Sequence, residues 1–80
     1  MSKLKIIVDV RTREEFEEGH YPGSINIPLD QLESELTQIQ SFPTPLQVCC
    51  RSGHRSGQAV VWLRQQGVDA VNVGGWTDLL

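Results

Sequence analysis

The middle of the chain reads Val48-Cys49-Cys50-Arg51-Ser52-Gly53-His54-Arg55-Ser56. The apolar run Leu46-Gln47-Val48-Cys49 is typical of a buried strand, and residues 51–54 form a short loop that contains glycine. Ser56 to Gln66 predicts the strongest helix of the chain, with Gly67 as its stop. A strand therefore leads through a tight loop directly into a helix.

Strand and helix patterns alternate on the amino-terminal side of this segment. Lys5 to Val10 and Ser24 to Ile27 predict two strands. Between them, the capping box Thr12-Arg13-Glu14-Glu15 predicts a short helix that Gly19 ends. A further helix is predicted to start at an Asp30 cap and to run to about Ile39, before the proline-rich break at residues 41–45.

The same alternation continues to the end of the chain. Asp69 to Val73 predicts a fourth strand, and Gly74-Gly75 turns into a last helical piece from Trp76 to Leu80. Alternating strands and helices predict an α/β fold, a small parallel β-sheet flanked by helices on both faces, in a single domain of residues 1–80. Ligands of such folds bind at the carboxyl ends of the strands. The loop after the third strand is therefore the expected site.

Composition excludes several classes of function. The net charge of −3 gives no reason to expect nucleic acid as a partner, and the longest apolar run, Ala59 to Leu63, is far short of the ~20 residues of a membrane span. Two adjacent cysteines and two distant histidines do not form a zinc site, so no metal is expected. No secretory segment follows Met1, which together with the free cysteines predicts a cytoplasmic protein.

The central loop has the composition of an anion site built around a thiol. Backbone N–H groups of such a loop point inward, and the start of the following helix adds partial positive charge. Arg51, His54 and Arg55 add a basic spot to an otherwise acidic chain. A cysteine in this field has a lowered pKa and is an activated nucleophile.

Strand alternation favours one of the two adjacent cysteines. Four residues separate Cys50 from Arg55, and five separate Cys49 from Arg55. Cys49 is still a strand residue that packs to one side, whereas Cys50 is the first residue free to face the loop. Cys50 is the predicted nucleophile, and Cys49 is expected to fill a small apolar site. The Cys49 spacing keeps open a cysteine-dependent phosphatase or an arsenate reductase.

Three ordered blocks resemble the rhodanese family and span nearly the whole chain. They are the loop Cys50-Arg51-Ser52-Gly53-His54-Arg55-Ser56, the upstream set Asp9-Val10-Arg11, Glu15-Phe16, Gly19-His20 and Pro22-Gly23-Ser24-Ile25-Asn26-Ile27-Pro28, and the closing Val73-Gly74-Gly75-Trp76. The family often has an aromatic residue before its nucleophile, where this chain has Cys49.

The resemblance implies a thiosulfate sulfurtransferase that carries sulfur as a persulfide on Cys50. It implies a small anionic sulfur donor, a thiol, cyanide or protein as acceptor, no cofactor and no metal, and a monomer. The expected substrate-binding residues are Arg51, Ser52, Gly53, His54, Arg55 and Ser56. Asp9 and Arg11 are expected to support the site, Asp9 either by holding Arg55 or a loop N–H, or by capping the turn to Thr12. A sulfur-carrier or non-catalytic module is the alternative.

Overall fold

A computed structural model describes residues 6–80. Within this part of the chain, four strands form one sheet in the order β2-β1-β3-β4, and every neighbouring pair is parallel. The strands are β1 (Ile7–Asp9), β2 (Ile25–Asn26), β3 (Leu46–Cys50) and β4 (Ala70–Gly75). The predicted parallel sheet is confirmed. Lys5, the first residue of the first predicted strand, lies outside the described residues.

Helical segments lie between the strands. They are α1 (Arg13–Glu18), α2 (Leu36–Gln40) and α3 (His54–Gln65), with short 3₁₀ segments at Leu29–Gln31 and Trp76–Leu79. The predicted capping box forms at α1: the Thr12 hydroxyl accepts from the Glu15 N–H, and the Glu15 carboxylate accepts from the Thr12 N–H. Gly19 follows α1 and Gly67 follows α3, as predicted.

The prediction of one helix from Asp30 to Ile39 is wrong. The chain instead forms a 3₁₀ turn, a run of turns and the five-residue helix α2, and no side chain caps either helical piece. The Ser34 hydroxyl donates to the carbonyl of Gln31 at 3.0 Å, a local bond of the kind that competes with continuous helix.

Two boundaries near the central loop also differ from the prediction. Cys50 is the last residue of β3, and α3 begins at His54, two residues before Ser56. Gly53 stands at the start of α3 with a φ of 98°, a left-handed conformation that glycine adopts without strain. The loop proper is therefore only Arg51 to Gly53.

The core lies between the sheet and α3. Val8, Val48 and Cys50 face the apolar cluster that includes Ala59 and Leu63 of α3. Asp9 and Cys49 are partners in register on adjacent strands, and side-chain alternation turns both to the opposite side of the sheet. The two faces thus separate the adjacent cysteines.

Candidate active site

The Cys50 sulfur lies at the carboxyl end of β3, against the start of α3. Cys50 is 1% exposed, and its Sγ accepts hydrogen bonds from the Gly53 N–H at 3.0 Å and from the Ser56 hydroxyl at 3.4 Å. The Gly53 bond closes the loop over the sulfur in a ring of four residues. The strand, the loop and the helix start thus meet at one thiol.

These contacts favour the thiolate form of Cys50. Burial alone would raise the pKa of Cys50, but the Ser56 hydroxyl and the N–H groups of Ser56, Ser52 and Gly53 outweigh burial and lower it. Hydrogen bonds to a charged sulfur stabilise the anion more than the neutral thiol. Cys50 is therefore placed as a nucleophile requires, in contacts that favour its thiolate form.

Cys49 has the opposite character. It is completely buried, and burial, followed by the negative charge of Asp9, raises its pKa to about 12. A thiol with such a pKa is almost entirely protonated near neutral pH and is a poor nucleophile. The placement of the two sulfurs supports Cys50 in the chemical role and Cys49 as a packing residue.

Arg55 is held by a carboxylate from the other side of the site. Its guanidinium donates two hydrogen bonds to Glu15, NH1 to Oε1 at 2.7 Å and NH2 to Oε2 at 3.0 Å. The suggestion that Asp9 holds Arg55 is therefore wrong. The sequence predicted Glu15 as a capping-box residue and as part of the block that resembles the rhodanese family. It gave no sign that the same carboxylate binds Arg55, because the two residues lie 40 positions apart. Arg55 and then Thr12 lower the pKa of Glu15 to about 2.

Asp9 and Arg11 form a separate buried ion pair. Arg11 Nε donates to both Asp9 oxygens at 2.9 and 3.0 Å, and NH2 donates to Oδ2 at 2.7 Å. The Arg11 N–H also donates to Asp9 Oδ1, so Asp9 does cap the turn toward Thr12. Arg11 further donates to the Gly19 carbonyl and lies 4.9 Å from the ring centre of Trp76. The pair organises one wall of the site, without a described hydrogen bond to the loop.

A pocket opens beside the loop, on the side of Arg51. Its volume is about 380 Å³. The residues that line it are Arg11, Glu15, Glu18, Gly19, Arg51, Trp76 and Thr77. Cys50 is not one of them, since its sulfur lies under the loop. His54, the first residue of α3, is exposed.

The predicted site residues thus fall into three groups. Ser52, Gly53 and Ser56 converge with their polar groups on the Cys50 sulfur. Arg51 lines the adjacent pocket, and Arg55 is tied to Glu15. His54 is exposed at the start of α3, and Asp9 with Arg11 builds the wall.

The closing strand β4 supports the loop through residues that sequence reasoning did not assign to the site. The Asn72 side chain donates to the Gly53 carbonyl at 2.9 Å and accepts from the Ser56 hydroxyl at 2.7 Å. A Cβ at Gly75 would lie 2.6 Å from the Arg51 carbonyl oxygen, so only glycine fits there. The Gly-Gly pair of the sequence pointed to a turn, but its close approach to the loop required the sheet register.

Residues 6–80 contain no group of three or more histidine, cysteine, aspartate or glutamate side chains placed to hold a metal ion. None of the helices described in this range is long and apolar enough to cross a membrane.

Comparison with known proteins agrees with the geometry of the loop. The family model of the rhodanese-like domain matches residues 1–79. The chain is 35% identical over 74 residues to the thiosulfate sulfurtransferase PspE of Escherichia coli (strain K12). This match covers 90% of this chain and 71% of that protein. It is also 35% identical over 65 residues to the putative sulfur carrier protein YrkF of Bacillus subtilis (strain 168). That match covers 81% of this chain and 35% of the other protein.

A solved structure described as a rhodanese with anions from E. coli is similar throughout. The TM-score is 0.82 at 32% sequence identity, and the match covers 94% of this chain and 91% of the other. Four parallel strands with helices between them therefore match a rhodanese-like fold. The chain spans only about a third of YrkF, so what that whole protein does bears on this chain only as a proposal.

Proposed function

Because the chain belongs to the rhodanese-like domain family, we propose that it is a sulfurtransferase that moves sulfane sulfur from thiosulfate or a similar donor through a persulfide on Cys50. The observation that carries this proposal is the hydrogen bonding of the Cys50 sulfur by the Gly53 N–H and the Ser56 hydroxyl. Both groups lie within hydrogen-bond distance of Cys50 Sγ. This sulfur has to be a thiolate before it attacks the donor and becomes one again when the persulfide has passed on its outer sulfur. The similarity to PspE, a thiosulfate sulfurtransferase, supports thiosulfate as the donor.

The reaction has two balanced steps. The Cys50 thiolate attacks the outer sulfur of thiosulfate, an S–S bond to Cys50 forms, and the S–S bond of the donor breaks with its electron pair on sulfite. The persulfide anion then passes its outer sulfur to an acceptor such as cyanide, which leaves as thiocyanate and restores the thiolate. The N–H groups of Ser52, Gly53 and Ser56 would stabilise the negative sulfur in both states.

The arginines have separate parts in this proposal. Arg55, fixed by Glu15, keeps a positive charge near Cys50 and would stabilise the thiolate. Arg51 lines the open pocket and would meet the sulfite end of the donor. His54 is exposed beside the loop and would serve the same anion. No cofactor enters either step.

Mass spectrometry of the protein after incubation with thiosulfate tests the proposal. The expected product carries one additional sulfur, and fragmentation places it on Cys50. Addition of cyanide should remove that sulfur and return the original mass. A protein that gains no sulfur, or gains it on Cys49, would contradict the proposed function.

A sulfur-carrier module is the second candidate, favoured by the similarity to YrkF. A carrier would form the same Cys50 persulfide and differ in its acceptor, which would be a protein or thiol in place of a small anion. The third reading, a phosphatase or arsenate reductase, requires Cys49 as the nucleophile. The pKa of Cys49, which burial and the negative charge of Asp9 raise to about 12, speaks against that role.

Three further expectations belong to the proposal. The chain is proposed to act as one rhodanese domain and as a monomer. A reducing compartment such as the cytoplasm would keep Cys50 available as a thiol between turnovers. Size-exclusion chromatography of the protein and fractionation of the source cells measure the last two directly.

A further inference from the structure

The carboxamide of Asn72 has a defined orientation beside the loop. Its Oδ1 accepts from the Ser56 hydroxyl at 2.7 Å and from the Gly74 N–H at 3.0 Å, while its Nδ2 donates to the Gly53 carbonyl at 2.9 Å. Rotating the amide by half a turn would set NH₂ against the Gly74 N–H and Oδ1 against the Gly53 carbonyl, two repulsive contacts. The partners therefore fix the acceptor side of Asn72 toward Ser56, although the residue is exposed.

The Ser56 hydroxyl lies between two acceptors. Its oxygen is 2.7 Å from Asn72 Oδ1 and 3.4 Å from the Cys50 sulfur, and Ser56 is completely buried. A hydroxyl has a single hydrogen, so it can donate to Asn72 or to Cys50 but not fully to both. The choice between them depends on the charge of the sulfur.

A neutral thiol and a thiolate make different demands on this hydroxyl. A thiol carries its own S–H, which can donate to the Ser56 oxygen while Ser56 donates to Asn72. A thiolate is only an acceptor, and a charged acceptor draws a hydrogen bond more strongly than a neutral amide oxygen. When the hydroxyl turns to the sulfur, Asn72 Oδ1 keeps the Gly74 N–H and is not left without a donor.

We propose that Asn72 is a positioning residue that holds the Ser56 hydroxyl hydrogen while Cys50 is a thiol and releases it to the sulfur when Cys50 ionises. Asn72 would act through Ser56 and not on the substrate. The inference deepens the proposed function, on which its place in sulfur transfer rests. The ionisation of Cys50 can be measured without any sulfur transfer.

The test measures the pKa of Cys50 from the pH dependence of its alkylation by iodoacetamide. Cys50→Ser serves as the blank, and peptide fragmentation assigns the label to Cys50. Four proteins are compared: wild type, Ser56→Ala, Asn72→Asp and the double variant. Asn72→Asp keeps the size of the side chain and the acceptor at Oδ1, and a carboxylate holds the Ser56 hydrogen more tightly. It also replaces the Nδ2 donor to the Gly53 carbonyl by an oxygen, a loss that is the same with and without Ser56 and therefore cancels when the two shifts are compared. Arg55 and Cys49, two titratable groups that interact with Cys50, are unchanged in all four proteins, as are Arg51 and His54 of the adjoining loop and helix start.

Ser56→Ala should raise the Cys50 pKa by about one unit, because it removes a hydrogen bond to the thiolate. Asn72→Asp should raise the pKa in both backgrounds through its charge, but by about half a unit more where Ser56 is present. Equal shifts in the two backgrounds would overturn the proposal, since a purely structural or purely electrostatic Asn72 gives additive effects.

Gln65→Glu is the matched control, since it makes the same amide-to-carboxylate change at an exposed site at the far end of α3. No change of the Cys50 pKa is expected there, and a shift as large as that of Asn72→Asp would also overturn the proposal. Urea unfolding checks that each variant is folded. If Asn72→Asp does not fold, Asn72→Ala with and without Ser56→Ala repeats the cycle, and a coupling of zero contradicts the inference.

The proposed function and this inference can fail separately. A coupling between Asn72 and Ser56 in a protein that takes up no sulfur would leave the positioning role intact and remove the sulfurtransferase. Normal thiosulfate turnover together with additive pKa shifts would support the sulfurtransferase and remove the positioning role of Asn72.

Discussion

Glu15 joins Arg55 through two hydrogen bonds, at 2.7 and 3.0 Å, and the same carboxylate closes the capping box on the Thr12 N–H at 3.0 Å. One side chain thus fixes the start of α1 and the first turn of α3. The contact ties the amino-terminal block of the sequence to the loop of Cys50. It places a positive charge near the sulfur and holds it there.

The first prediction concerns the two adjacent cysteines. Cys50→Ser should abolish sulfur transfer from thiosulfate to cyanide, because serine supplies no thiolate. Cys49→Ser should leave most of the activity, since Cys49 is buried on the other side of the sheet. Thiocyanate release at a fixed protein concentration measures both. A dead Cys49→Ser protein that is folded would show that the nucleophile has been misassigned.

Arg55→Ala should weaken the anion site. Loss of the guanidinium removes a positive charge that interacts with Cys50, so the pKa of Cys50 should rise and the KM for thiosulfate should increase several-fold, an effect of about 1 kcal/mol. Steady-state kinetics and the pH profile of kcat/KM give both quantities. Arg13→Ala, at an exposed arginine of α1, is the control and should change neither. An unchanged KM in Arg55→Ala would remove Arg55 from the donor site.

Glu15→Gln should change how stability depends on acid. The pKa of Glu15 is about 2 in the folded protein and 4.5 ordinarily, so its contribution is complete above pH 4.5 and is lost as the pH falls from 4.5 toward 2. Both side chains of the pair are about 30% exposed, so solvent screening limits its stabilisation to about 1 kcal/mol or less. Urea unfolding of Glu15→Gln should therefore show a smaller loss of stability over that pH range than the wild type.

The control for that experiment is Glu14→Gln, an exposed residue in the same turn of α1. It should follow the wild-type acid profile. If Glu15→Gln follows it as well, the ion pair with Arg55 contributes nothing to the folded state in solution.

Gly75→Ala, at the end of β4, should displace the backbone of the loop at Arg51. The new Cβ would meet the backbone oxygen of Arg51 at 2.6 Å, and a backbone atom cannot move aside without shifting the loop. We expect a loss of about 1–3 kcal/mol in unfolding free energy, together with reduced sulfur transfer. Gly19→Ala is the comparison, because its Cβ would meet only the Trp76 ring, at 3.2 Å. Equal stability of Gly75→Ala and wild type would show that β4 does not brace the loop.

Much of the fold could be read from local patterns. The four strands, the Thr12 capping box and the helix after Cys50 follow from periodicity and end residues, which act over a few positions. The helix predicted from Asp30 failed because the Ser34 hydroxyl bonds the Gln31 carbonyl locally and no side chain caps the turn. Strand alternation and the resemblance of the Cys50-to-Arg55 spacing to the rhodanese family predict Cys50 over Cys49 as the nucleophile, and the opposite pKa shifts of the two thiols support that prediction.

The sequence by itself determined the order of the elements, the nucleophile candidate and the loop of backbone donors, because each depends on residues close together in the chain. Only the tertiary structure decided which side chains support them. Arg55 pairs with Glu15, 40 positions away, while Asp9 pairs with Arg11. Asn72 accepts a hydrogen bond from Ser56, 16 positions away. Such pairings depend on strand order and register. Local sequence patterns extend over only a few residues, so they do not show which distant residues the fold brings into contact.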